Sequence, residues 1–176
     1  VAPRIAYMPQ GLGKNLYPTL SVFENIDFFG RLFGHRRSER ERRIGDLLQR
    51  TGLNPFAHRP AGKLSGGMKQ KLGLCCALIH DPDILILDEP TAVLAPQEIE
   101  GLFETLRAMT AEGKSIVFIS HKLHEVMAIA DRITVLRKGK VTAAGLAAGE
   151  TTKSELARLM VGREVLFTLD KKHRDP

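Results

Sequence analysis

Asp88 and Glu89 stand side by side where the apolar run Leu85-Ile86-Leu87 ends, a pairing that can serve a magnesium–nucleotide. An aspartate at a strand tip suits Mg2+, which takes oxygen ligands and often keeps water between itself and the protein. The glutamate beside it can accept a proton from an attacking water, or orient that water. A second apolar run ends in Ser120-His121, and an imidazole there can donate a hydrogen bond to a phosphoryl oxygen in transfer. Ligands of open parallel sheets lie beyond the C-terminal ends of the strands, the edge where these side chains belong. Ser65-Gly66-Gly67 is a piece of another kind: a helix start with two glycines lets an anion reach bare backbone N–H groups, with the serine hydroxyl beside them. Each piece alone has a plainer alternative. A strand can end in acids at a solvated turn, and a helix can simply be capped by serine.

Such chemistry also needs a loop that grips the phosphate tail. The stretch Gly11–Asn15, GLGKN, comes nearest to G-x-x-x-x-G-K-[ST] and fails twice: Met8 stands where the first glycine belongs, and Asn15 replaces the Mg2+-binding Ser or Thr. Magnitude decides what that costs. An anion at one helix N-terminus gains about 0.3–1 kcal/mol and at best ~2, whereas even millimolar binding takes about 4 kcal/mol. The Ser65–Gly67 turn alone is too weak to hold a nucleotide.

The elements that must position these groups are legible as patterns. Arg4–Met8 reads as a strand, closed by Pro9-Gln10 and a glycine loop. Ser21 with Glu24 and Ser38 with Glu41 both read as capping boxes opening helices, the second stopped at Gly52. Behind Ser65 the spacing of Met68, Leu72, Cys75, Cys76 and Ile79 predicts a helix with one buried face. Ile84–Leu87 and Ser115–Ile119 read as buried strands on either side of a helix over Gln97–Ala111, a βαβ unit with a parallel sheet. A short helix near Leu123–Ala130, a hairpin over Lys138-Gly139 and a helix capped by Thr152 with Glu155 complete the pattern. The fold class is therefore α/β. After Gly162 the composition turns polar, and residues 163–176 read as a tail or linker.

Composition narrows the function classes. The net charge of +6 rests largely on Arg31, Arg36, Arg37, Arg40, Arg42 and Arg43 and on a basic tail. Glu39 and Glu41 interleave with the arginines, which predicts a solvated, salt-bridged helix face. No aromatics alternate with the charges as nucleic-acid stacking requires. Cys75 and Cys76 are neighbours on an apolar face and read as core, in a reducing cytosolic setting. His121 and His124 lack a third partner for zinc, and His35, His58 and His80 read as surface or loop residues. No apolar run approaches the ~20 residues of a membrane-spanning helix, and none reads as a secretory leader. The chain begins at Val1 inside what reads as a strand, as a piece of something longer would.

Gln10 in YMPQ, then LSGG, LILDEPT and FISH, in this order and at these intervals, resembles the ATP-binding cassette (ABC) ATPase family over nearly the whole chain. The resemblance implies an incomplete P-loop NTPase-like parallel sheet with a helical subdomain at about residues 11–80, a core remainder at 81–149, and a C-terminal hairpin and helix. It makes residues 1–162 a partial nucleotide-binding domain. By it, Gln10 is the Q-loop glutamine, placed for catalysis and for Mg2+. Leu64, Ser65, Gly66 and Gly67 belong to the signature motif that contacts ATP. Asp88 is the Walker B aspartate and Mg2+ ligand, Glu89 the catalytic glutamate and His121 the switch histidine. The family's phosphate loop precedes the Q-loop, on a strand these residues do not contain, so this polypeptide by itself is expected to lack ATPase activity and to be marginally stable with an uncovered sheet edge. Expected partners are ATP, a second nucleotide-binding domain and a transmembrane transporter subunit, at the cytoplasmic face of the cell membrane. A ribosome-associated ATPase and a non-hydrolysing regulatory cassette are the alternatives, with nucleic acid disfavoured. Two positions depart from the family: Ala95, where many members carry aspartate, and Met68, where glutamine is common. The first half looks like tandem-cassette exporter or ribosome-associated ATPases. From about Thr91 onward the chain looks like sugar or nucleoside importer ATPases.

Overall fold

The computed structural model describes residues 4–11 and 13–162, so the polar stretch expected at 163–176 lies outside the described residues. The chain divides into two compact units, Val1–Ser120 and His121–Pro176.

In the first unit β1 (Ile5–Met8) leads to α1 (Val22–Leu32), α2 (Arg37–Thr51) and α3 (Gly66–Leu78), then to β2 (Ile84–Asp88), α4 (Pro96–Ala111) and β3 (Ser115–Ile119). The Ser21 box closes as the pattern predicts: the Glu24 amide donates to Ser21 Oγ at 3.2 Å, and the Ser21 amide donates to the Glu24 carboxylate at 2.7 Å. Buried Asn25 fastens the preceding loop, its Nδ2 donating to the carbonyls of Tyr17, Leu20 and Ser21. The second box does not form. The helix opens at Arg37, with Arg36 at the cap and no side-chain cap bond, so Ser38 lies inside its first turn. The cause is tertiary. Arg40 reaches across to α1, donating to Asp27 at 2.6 Å and to the His35 carbonyl at 2.7 Å, and this fixes the phase of α2.

The arginine-rich face is ion-paired as expected: Arg37 with Glu41 at 2.8 Å, Arg42 with Asp46 at 3.2 Å, Arg43 with Glu39 at 3.0 Å. The inner faces of the three helices meet in a core of Val22, Ile26, Ile44, Leu48, Leu72 and Ile79. Both cysteines join that core, and burial pushes the Cys75 thiol up to about 11 and that of Cys76 well above its ordinary value.

The three strands form one parallel sheet in the order β1-β2-β3, with Met8 beside Leu87 and Leu87 beside Phe118. Its faces are unequal. Ala6, Met8, Leu85 and Leu87 are buried, and Phe118 meets Phe103 of α4 edge-on at 5.9 Å between ring centroids. On the opposite face Ile5 is 53% exposed, Tyr7 55%, Val117 48% and Ile119 47%. The expectation that Ser115–Ile119 is a buried strand is thus corrected. Strands with this composition are covered on both sides in parallel sheets, and here one side is open.

The second unit holds α5 (Leu123–Ile129), the antiparallel pair β4 (Arg132–Arg137) and β5 (Lys140–Ala147), and α6 (Lys153–Val161). The hairpin turns on Lys138 (φ 50°) and Gly139 (φ 74°), the left-handed pair that matches strand twist. Ile133, Val135, Ala148 and Leu156 form its core. Thr152 Oγ1 accepts the Glu155 amide at 3.2 Å to start α6, and Gly162, at φ 81°, ends it.

Candidate functional site

Parallel pairing brings the ends of β1 and β2 to one edge of the first unit. Asp88 closes β2, Glu89 follows, and Gln10 lies two residues beyond Met8, the register partner of Leu87. Glu89 adopts φ 46°, left-handed for a non-glycine residue, while its amide still donates to the Ile119 carbonyl at 2.9 Å. A conformation of this kind costs about 1–3 kcal/mol and clusters where function needs a sharply aimed side chain. Sequence reasoning missed one member of this edge. Tyr7 donates its hydroxyl to Asp88 Oδ2 at 3.3 Å. Desolvation, and then the Asp88 carboxylate, raise the Tyr7 pKa. The signal was strand alternation: Tyr7 pairs with Ile86, two residues before Asp88 and on the same face.

The glycine turn is built as a helix start. Ser65 caps α3, its Oγ accepting the Met68 amide at 3.2 Å. Leu64 and Gly67 are buried, Gly66 is half-buried and Ser65 is exposed, so the serine reaches the surface while Gly67 packs inward. One turn along, buried Gln70 donates Nε2 to the Pro90 carbonyl at 2.7 Å, joining α3 to the segment just after Glu89. Ala95 caps α4 without an acceptor of its own; Glu98 reaches back to take its amide proton at 3.0 Å.

The structure therefore brings Gln10, Asp88 and Glu89 to one sheet edge, with the Ser65–Gly67 helix pinned to the loop that follows. His121 opens the second unit, exposed and two residues after β3 ends. Among the described residues no group of three or more His, Cys, Asp or Glu side chains is gathered to hold a metal ion. A half-buried aspartate at a strand end still fits Mg2+, which binds through one or two carboxylates with water and phosphate oxygens completing the shell. A cleft of about 740 Å3 among α2, α3 and α4 is lined by Arg42, Arg50, Lys71, Glu104 and Glu112 and by none of these candidates.

Residues 1–92 match the family model described as ABC transporter. The chain is 46% identical over 136 residues to a glucose import ATP-binding protein of Haloferax volcanii, covering 77% of this chain and 24% of that protein. It is 32% identical to the linearmycin resistance ATP-binding protein of Bacillus subtilis, covering 93% of this chain and 50% of that one. A solved ATP-binding subunit of an ABC transporter superimposes with a TM-score of 0.70 at 31% identity, covering 81% of this chain and 58% of the other. The chain thus spans 24% and 50% of the length of these two curated relatives. Family model, relatives and fold agree: the chain belongs to the ABC transporter family, through its ATP-binding domain.

Proposed function

We propose that these residues form the hydrolytic and signature portion of an ABC transporter ATPase, which turns ATP hydrolysis into solute movement across a membrane. The observation that carries this reading is the shared sheet edge: Gln10, Asp88 and strained Glu89 at adjacent strand ends, with the Ser65-capped helix bonded to Pro90. In this reading Asp88, aided by Gln10, would hold Mg2+, which would neutralise charge on the phosphates. Glu89 takes the proton of a water whose oxygen bonds to the γ-phosphorus as the bond to the bridging β–γ oxygen breaks. His121 donates to a γ-phosphoryl oxygen. Leu64 and Ser65–Gly67 serve a nucleotide gripped by the phosphate loop of a second nucleotide-binding domain, because one helix start is too weak to hold it alone.

Tyr17, Phe28 and Leu32 make an exposed apolar patch after Gln10, with Tyr17 and Phe28 in edge contact at 4.8 Å, and this is the surface for a transmembrane subunit. No helix among the described residues is long and apolar enough to cross a membrane. The place proposed for the chain is peripheral, on the cytoplasmic face. Ion pairing along α2 neutralises the arginines that a ribosome or other nucleic acid would need.

The test is complementation. The purified chain releases no phosphate from ATP by itself. Mixed with an intact ABC cassette whose own signature serine is disabled, it restores turnover, and Ser65→Arg abolishes the gain. Steady hydrolysis by the chain alone, lost in Glu89→Gln, overturns the reading.

A further inference from the structure

Gly67 and Gln70 lie three residues apart on one face of α3, and each touches one end of the segment that runs from the catalytic-glutamate turn into α4. Gln70, 6% exposed, holds the Pro90 carbonyl. Gly67 lies against the Glu98 carboxylate so closely that a Cβ placed there would collide with Glu98 Oε1. The other Glu98 oxygen takes the Ala95 amide proton at 3.0 Å. One carboxylate therefore packs against the glycine turn and closes the cap of α4. Between the two anchor points lie Thr91, fully buried, and the short turns of Ala92 onto Glu89 and Leu94 onto Thr91.

We propose that Gln70 and Glu98 are positioning residues that lock the Ser65–Gly67 turn to the Asp88–Glu89 loop, so that a displacement at one is carried to the other within a single chain. The inference rests on the reading that these two stretches serve different nucleotides. It then supplies an intrachain link between the two sites, running through Glu98 at a loop whose cap residue, Ala95, has no side-chain acceptor.

The test needs no nucleotide, so its outcome is separate from that of the ATPase reading. In the full 176-residue chain, Gly67→Ala gains helix propensity but must push the Glu98 carboxylate off the Ala95 amide, so it is less favourable to the melting temperature in the original background than in Glu98→Ala. Ser65→Ala, which frees the Met68 amide and loosens the first turn of α3, speeds amide exchange at Glu89–Leu94 on the order of fivefold, the scale of a lost capping contact. That acceleration vanishes in Glu98→Ala and survives in Glu98→Gln, which keeps an acceptor for Ala95. Should Glu98→Ala fail to fold, Gln70→Leu breaks the other anchor and likewise uncouples the response. A Gly67→Ala effect that is equal in both backgrounds, or exchange that responds to Ser65→Ala equally with and without the anchors, overturns the proposal.

Discussion

His80 shows what single residues conceal and what they disclose. The sequence places it at a helix end with loop and surface residues, but the structure buries it to 7% exposure with its ring 4.0 Å from that of Phe33. No local pattern signals this, because the burial comes from α1 folding its last turn over the end of α3. Tyr7 escaped for a similar reason: its bond to Asp88 crosses between strands. Cys75 and Cys76 were legible because helical spacing alone put them inside. Burial lowers the His80 pKa and outweighs the Ile5 backbone and the Asp81 carboxylate, which favour its charge, while the neighbouring His35 and Arg43 oppose it. The sign follows. Above the ordinary value of 6.5 the ring is neutral folded or unfolded; below it the unfolded chain takes up a proton first. Stability is therefore held above that pH and lost as pH falls toward the depressed folded value. Urea midpoints should decline on acidification from pH 7 toward about pH 5, and His80→Gln should reduce that slope. An unchanged slope would assign the acid sensitivity to other groups.

Elements read well where the signal was local and less well where a neighbour set the phase. Both serines carry the same S-x-x-E spacing, at Ser21 and Ser38, yet only Ser21 forms its box. The difference lies outside the four residues. Gly34, at φ 77°, turns the chain out of α1, and Arg40, bonded to Asp27, sets α2 so that helix begins before Ser38. That ion pair is mostly buried, and although burial raises the Asp27 pKa, its bonds to Arg40 and Arg31 hold it below the usual carboxylate value. The glycine turn at Ser65 was legible because its cap is local, whereas the contacts of Gln70 and Glu98 that fasten it were not. A clean comparison follows from the two serines. Ser21→Ala should cost about 1 kcal/mol of unfolding free energy, while Ser38→Ala should stay within about 0.5 kcal/mol. Equal losses in chemical denaturation would mean that Ser38 caps α2 in solution.

At the scale of the whole molecule, the parallel pairing of β2 with β3 was legible, while the place of β1 and the extent of cover were not. Continuous apolar runs such as Ile84–Leu87 report that a strand belongs between two layers, and they carry no information on whether both layers are at hand. Helices α3 and α4 cover one face of the sheet, while Ile5, Tyr7, Val117 and Ile119 remain about half exposed on the other. Complete burial of a Val, Ile or aromatic side chain is worth about 1.5–3 kcal/mol, so four half-covered residues forgo on the order of 4 kcal/mol. That is comparable to the entire net stability of many domains, about 5–15 kcal/mol. The liability thus lies on a face as well as at an edge, and the chain should bind an apolar fluorescent dye and self-associate as concentration rises. Lysine at Ile5 and Val117 separates an open face from a covered one. On an open face the pair suppresses dye binding and association and shifts stability by no more than about 1 kcal/mol in total, the range of surface substitutions. If the face is packed in solution, two buried ammonium groups without partners unfold the chain, and the solubility gain never appears.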